Sequence, residues 1–149
     1  MLSTTHTKAQ AQAQAQAQQP SKVIITAFPH REQFLAFLQN NPGIIVIKFG
    51  ATWCGPCRLI QPAVDSFFLS SPDTVLCCQI DIDESMDLYA FLKSKKMIHG
   101  IPALFCYKNN NHTWIPDDSV IGSNPSDVHS FFQRCVQHLQ SVAPLVRRK

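Results

Sequence analysis

From about residue 22 onward the apolar positions switch between a two-residue period and a three-to-four-residue period, which predicts strands alternating with helices. Lys22 to Ala27 predicts a short strand, and Arg31 to Gln39 predicts a helix with Phe34, Leu35 and Leu38 on one face. Asn40, Asn41, Pro42 and Gly43 then punctuate the chain. Ile44 to Phe49 is a β-branched run suited to a buried strand, and Cys57 to Leu69 predicts a helix carrying Leu59, Ile60, Val64, Phe67 and Phe68, kinked at Pro62. Thr74 to Ile80 predicts a third strand, Glu84 to Lys93 a third helix and Ala103 to Tyr107 a fourth strand. A poorly patterned fifth strand falls within Thr113 to Ile121. Asn124 as N-cap, Pro125 at the first helical position and Asp127 in the first turn open a last helix. Its inward positions are Val128, Phe131, Phe132, Cys135, Val136 and Leu139, and its stop signals fall near Ser141 to Pro144. Strand-helix alternation of this kind predicts an α/β layer sandwich, with a partly parallel sheet, right-handed crossovers and helices on both faces.

The pattern is missing upstream. Ala9 to Gln19 is a pure Ala/Gln tract with helix propensity but no apolar face to bury, so residues 1–20 are expected to be a disordered arm. The folded domain is expected over residues 21–142, followed by a basic tail over 143–149. Arg147, Arg148 and Lys149 alone match the net charge of +3, so no basic patch for nucleic acid is expected elsewhere. No apolar run approaches the roughly 18 residues of a membrane helix; Ile44 to Ile47 stops at Lys48. The expected partners therefore include neither nucleic acid nor membrane.

Six cysteines in a chain of 149 residues could make three disulfides in a secreted scaffold. That reading wants a short chain, a weak core and a signal peptide, whereas Met1-Leu2 runs at once into Ser3-Thr4-Thr5-His6. The expectation is a cytoplasmic protein. Cys77 and Cys78 are adjacent on a strand and point to opposite faces. Cys106 lies in an apolar strand and Cys135 on the inner face of the last helix, so each reads as a small core hydrophobe. No Cys/His pair supplies a second ligand pair for zinc, and no metal is expected.

Trp53-Cys54-Gly55-Pro56-Cys57 differs from the other cysteines because it follows a buried strand and opens a helix. Two cysteines separated by two residues in that context form a redox dithiol able to close a small, reversible disulfide. A free thiol with a pKa of about 8.5 is only about 3% ionised at pH 7, and the free N–H groups at a helix start stabilise the thiolate. Cys54 is the expected nucleophile. Cys57, one turn in and less exposed, is expected to attack the mixed disulfide at Cys54 and release the reduced product.

Several motifs between about Val23 and Leu139 resemble the thioredoxin family. Ile45 to Arg58, with its Lys48-Phe49-Gly50-Ala51-Thr52 approach to the dithiol, is similar to the family's second strand and active-site turn, and Pro62 to its helix-kinking proline. Asp81-Ile82-Asp83 resembles the acidic end of the third strand, Gly100-Ile101-Pro102 the cis-proline loop, and Gly122 a glycine lining the substrate groove. The resemblance implies a thioredoxin-like three-layer sandwich, a central mixed five-stranded sheet flanked by four helices. It implies that Trp53, Ile101, Pro102 and Gly122 bind an extended substrate segment, largely through the Ile101 backbone. Gly55-Pro56 between the cysteines is the pairing of reductant members, whereas oxidases and isomerases of the fold usually carry a His there.

The implied function is protein-disulfide reduction through the Cys54/Cys57 dithiol, with electrons resupplied by an NADPH-dependent thioredoxin reductase. No bound cofactor is expected, and the chain is expected to be a monomer. The principal departure is Lys48, at a position where the family commonly buries an Asp that helps move the proton of the resolving cysteine. Two readings stand: Lys48 reaches solvent and only slows turnover, or a desolvated neutral amine is itself the base. A thioredoxin-fold adaptor with incidental redox turnover is the alternative function. Between Pro102 and Gly122 the chain is a few residues longer than in compact members, around Asn109-Asn110-Asn111-His112 and Pro116-Asp117-Asp118, and this lengthening is expected to form a solvent-facing hairpin loop.

Overall fold

The computed structural model describes residues 22–142, so the expected arm and basic tail lie outside the described residues. The elements are β1 (Ile24–Ile25), α1 (Arg31–Leu38), β2 (Ile44–Gly50), α2 (Gly55–Ser70), β3 (Val75–Asp81), α3 (Met86–Ser94), β4 (Ala103–Lys108), β5 (Asp118–Ile121) and α4 (Pro125–Ser141). They form one five-stranded sheet in the order β1-β3-β2-β4-β5. β3 pairs in parallel with β1 and β2, while β4 is antiparallel to both β2 and β5.

β2 is central and every one of its residues is buried. Because successive strand side chains alternate faces, Ile45, Ile47 and Phe49 point one way and Ile44, Val46 and Lys48 the other. The first set joins Phe34 and Leu38 of α1 and Leu88 and Leu92 of α3 in one core. Ile44 and Val46 join Ile60, Val64 and Phe68 of α2 and Val128, Phe131 and Cys135 of α4 in a second. The result is the expected three-layer sandwich. Cys77 belongs to the α2/α4 core and Cys78 to the α1/α3 core, on opposite faces as strand geometry requires.

Local expectations are corrected in β1 and α4. β1 is confined to Ile24–Ile25, with Lys22 instead donating to the carbonyl oxygens of Pro72 and Val75 at 2.8 and 2.7 Å. The fifth strand, Asp118–Ile121, falls within the expected Thr113 to Ile121. The stretch before it joins antiparallel β4 and β5 as the expected, largely exposed hairpin loop, pinned at Trp114, which packs against Phe91 and Phe34, with ring centroids 4.5 and 6.0 Å apart, and accepts the Tyr107 hydroxyl at its carbonyl. Val136 is 45% exposed. It lies about 80° round the helix from Val128, at the margin of the stripe made by Val128, Phe131, Phe132 and Cys135.

The Asn124 side chain accepts from Asp127 N–H at 3.1 Å, capping α4 as expected. α3 begins two residues later than expected. Ser85 caps it but spends its hydroxyl elsewhere, accepting from Phe28 N–H at 2.9 Å and so tying the β1 end to the α3 start.

Candidate active site

β2 ends at Gly50, and the chain turns through Ala51, Thr52 and Trp53 into α2. Cys54 N–H donates to Ala51 O at 3.2 Å, closing that turn. Cys54 is the N-cap residue: its sulfur accepts from Cys57 N–H at 3.2 Å, where a serine or aspartate oxygen more often sits. Pro56 lies in the first turn, where its missing N–H costs nothing. Cys54 and Cys57 are joined in a disulfide with their Cα atoms 5.3 Å apart. Both are largely enclosed, Cys54 at 5% and Cys57 at 2% exposure, so Cys54 is the slightly more accessible of the two.

The other sequence-selected residues gather at the same end of the sheet. Phe49 pairs with Ala103, and Ala103 with Ile121. Continuing that register by one residue brings Gly50, Pro102 and Gly122 side by side. Gly122 N–H donates to Pro102 O at 2.8 Å, and the Ile101–Pro102 peptide is cis. Gly122 has φ +107°, a left-handed conformation natural to glycine. Trp53 is 64% exposed, with its indole N–H donated to Asp83 Oδ2 at 2.8 Å. A Cβ at Gly55 would meet only the Arg58 guanidinium, at 3.9 Å, and Arg58 reaches back to donate to Thr52 O at 2.8 Å.

Lys48 does not reach solvent. It is 4% exposed, because its strand position aims it at the underside of α2. Its amine donates to Cys57 O at 3.1 Å and to Gln61 Oε1. Gln61 is fixed in turn, its Nε2 donating to Asp65 Oδ1 at 2.7 Å and Gln79 Oε1 at 2.8 Å. Burial pushes the Lys48 pKa down, and the Asp65 carboxylate opposes that shift. Gln61, Asp65 and Gln79 went unmarked in the sequence. The available signal was helical spacing, since Cys57, Gln61 and Asp65 recur every four residues on one face of α2.

The remaining thiols are all buried. Burial pushes the Cys78 thiol well above its ordinary range. The Cys135 thiol is raised by a hydrogen bond with Cys106 and by burial, so these two distant cysteines meet in the core. Among the described residues no three His, Cys, Asp or Glu side chains gather as a metal site, and no helix is long and apolar enough to cross a membrane.

A largely enclosed disulfide at a helix start is built for exchange with another disulfide or dithiol. Comparison with known proteins points the same way. The Thioredoxin family model matches residues 25–134. The chain is 31% identical over 98 residues to the thioredoxin of Coprinus comatus, covering 65% of this chain and 85% of that protein. Among solved structures it is similar to a thioredoxin of Plasmodium falciparum, with 27% identity, a TM-score of 0.59 and coverage of 78% and 89% of the two chains. The Malassezia sympodialis thioredoxin gives 26% identity and a TM-score of 0.57, with coverage of 77% and 96%.

Proposed function

The chain belongs to the thioredoxin family, and we propose that Cys54 is the nucleophile and Cys57 the resolving thiol of its protein-disulfide reductase activity. The activity itself is dithiol–disulfide exchange on disulfide-bonded substrates. The observation that carries the assignment of roles is the α2 N-terminus: Cys54 is its cap and receives the Cys57 N–H on sulfur. A thiolate at Cys54 inherits that donor and the positive end of the helix.

In the first step the Cys54 thiolate attacks one sulfur of the substrate disulfide, and the other leaves with the electron pair and takes a proton. The Cys57 thiol then loses its proton and attacks Cys54. The Cys54–Cys57 bond forms as the mixed disulfide breaks, and the second substrate thiol departs. The substrate gains two electrons and the enzyme loses them.

Trp53, Ile101, Pro102 and Gly122 form the substrate surface in this reading. The Gly122–Pro102 hydrogen bond and the shared register with Gly50 support it. Recognition through backbone would tolerate many substrate side chains. Gly55 and Pro56 keep the turn between the sulfurs free of bulk and charge. An NADPH-dependent thioredoxin reductase in the cytoplasm returns the electrons, which makes the protein an electron carrier.

The test is dithiothreitol-driven reduction of insulin by the wild type, Cys54→Ser and Cys57→Ser, with folding followed by circular dichroism. The expected result is strong wild-type activity, none in Cys54→Ser, and a stalled mixed disulfide in Cys57→Ser. A folded but inactive wild type contradicts the assignment.

A further inference from the structure

Beneath the helix that carries the dithiol, the wall of β2 is not closed. Gly50 has no side chain, and a Cβ placed there would lie 3.3 Å from Cys57 Sγ and 3.4 Å from Lys48 Cε. The resolving sulfur and the end of the lysine chain therefore border one small gap. That gap belongs to a cavity of about 470 Å³ lined by Thr26, Lys48, Gly50, Cys57, Gln61 and Gln79, with Arg58, Asp81 and Glu84 also contributing to its walls. It gives Cys57 a largely polar neighbourhood.

The Lys48 amine is held there from two directions. The Cys57 carbonyl and the Gln61 side-chain oxygen each accept one of its hydrogens. Gln61 presents oxygen rather than nitrogen because its amide nitrogen is committed to Asp65 and Gln79. Two oxygen acceptors and a carboxylate one residue further out favour an ammonium over a neutral amine. A tetrahedral ammonium keeps a third N–H beyond the two already taken.

We propose that Lys48 is a positioning residue for the resolving thiol: its ammonium stands behind Cys57 as a counter-charge to the Cys57 thiolate, and the thiol proton leaves through the water-accessible cavity over Gly50. The inference rests on Cys57 being the resolving thiol. In the mixed-disulfide state the Cys57 S–H bond breaks and its proton passes to water in the cavity. The thiolate then attacks Cys54 Sγ, and the Cys54–substrate bond breaks with its electron pair on the departing sulfur. Lys48 neither gains nor loses a proton in this scheme, which distinguishes it from the neutral-amine base, whereas the solvent-reaching reading is already overturned by the burial of Lys48.

The groups facing Lys48 make the idea testable by titration. Gln61 and, through it, Asp65 approach from α2, Gln79 from β3, and Asp81, Glu84 and Arg58 share the cavity. In reduced Cys54→Ser protein, the Cβ resonance of Cys57 and the Cε resonance of Lys48 are followed by NMR against pH. The expected result is a Cys57 transition at least one pH unit lower with Lys48 present than in Lys48→Met, and a Lys48 transition above that of Cys57. One unit corresponds to about a tenfold smaller Cys57 thiolate fraction at pH 7 in the variant, and to about threefold slower resolution because the more basic thiolate is also the better nucleophile. Equal Cys57 transitions overturn the proposal, and so does a Lys48 transition below that of Cys57, which would make the neutral amine the base.

If Lys48→Met does not fold, Gln61→Leu and the Lys48 titration in the otherwise unaltered protein decide. Releasing the amine in Gln61→Leu is expected to raise the Cys57 transition, and an unchanged value overturns the proposal. Insulin reduction separates the two claims. An active wild type without the Cys57 shift sinks only the counter-charge, whereas an inactive wild type with the shift sinks the reductase assignment.

Discussion

Trp53 donates its indole N–H to Asp83 at 2.8 Å, joining the residue before the first cysteine to the turn after β3. The ring is thereby held in one orientation although most of it is exposed. An exposed hydrogen bond of this kind contributes about 0.5–1.5 kcal/mol, or roughly 2- to 10-fold in an equilibrium. Asp83→Ala is expected to raise KM for a protein disulfide within that range and to leave kcat unchanged. Steady-state kinetics with insulin check it, and a loss confined to kcat would contradict a substrate-facing role for the ring.

Two glycines separate backbone strain from crowding. At Gly122 a Cβ would meet nothing within 4 Å, so the penalty of Gly122→Ala comes from φ +107° alone, about 1–2 kcal/mol. At Gly43 a Cβ would lie 2.6 Å from Thr74 O and 2.8 Å from Leu139 Cδ1, where backbone must move, and the expected loss is about 2–3 kcal/mol. Urea unfolding of both variants tests the order. Gly122→Ala should also weaken substrate binding, since its N–H is bonded to Pro102.

Asp118 links β5 to α4 by accepting from Arg134 at 2.8 Å and from His138 at 2.8 Å. Burial pushes its pKa up, but the hydrogen bonds from Arg134 and His138 outweigh burial and hold it below the ordinary carboxylate range. A carboxylate depressed by folding contributes stability that is complete above its unfolded value, about 3.9, and lost as pH falls through the folded value. Asp118→Asn is therefore expected to cost about 1 kcal/mol at pH 7 and less near pH 2.5, below the unfolded value. Urea midpoints for wild type and variant at both pH values check this, and a gap that persists undiminished in acid would contradict it.

The sequence was most legible where one period persists. β2, α2 and α4 appear within two residues of their expected bounds, because a continuous β-branched run and a long apolar stripe leave little choice of face. β5 was poorly legible because its residues are alternately half-buried and exposed at a sheet edge. Trp114 lies in the poorly patterned Thr113 to Ile121 stretch, and only the fold brings Phe34 and Phe91 within reach of it. The dithiol could be read from spacing and context. The surroundings of Lys48 could not, since its partners come from α2 and are themselves held from β3, and period-two counting gives the face but not the occupants. Likewise Cys106 and Cys135, read as separate hydrophobes, meet only because β4 and α4 share a core.

The central claim is that Cys54 attacks and Cys57 resolves. It is tested most directly by mixing reduced Cys57→Ser and, separately, reduced Cys54→Ser with a protein disulfide, quenching in acid and mapping the adducts by mass spectrometry. The account predicts rapid formation of a stable mixed disulfide at Cys54 in Cys57→Ser, and little or none at Cys57 in Cys54→Ser. Equal trapping at both positions, or faster trapping at Cys57, would contradict it.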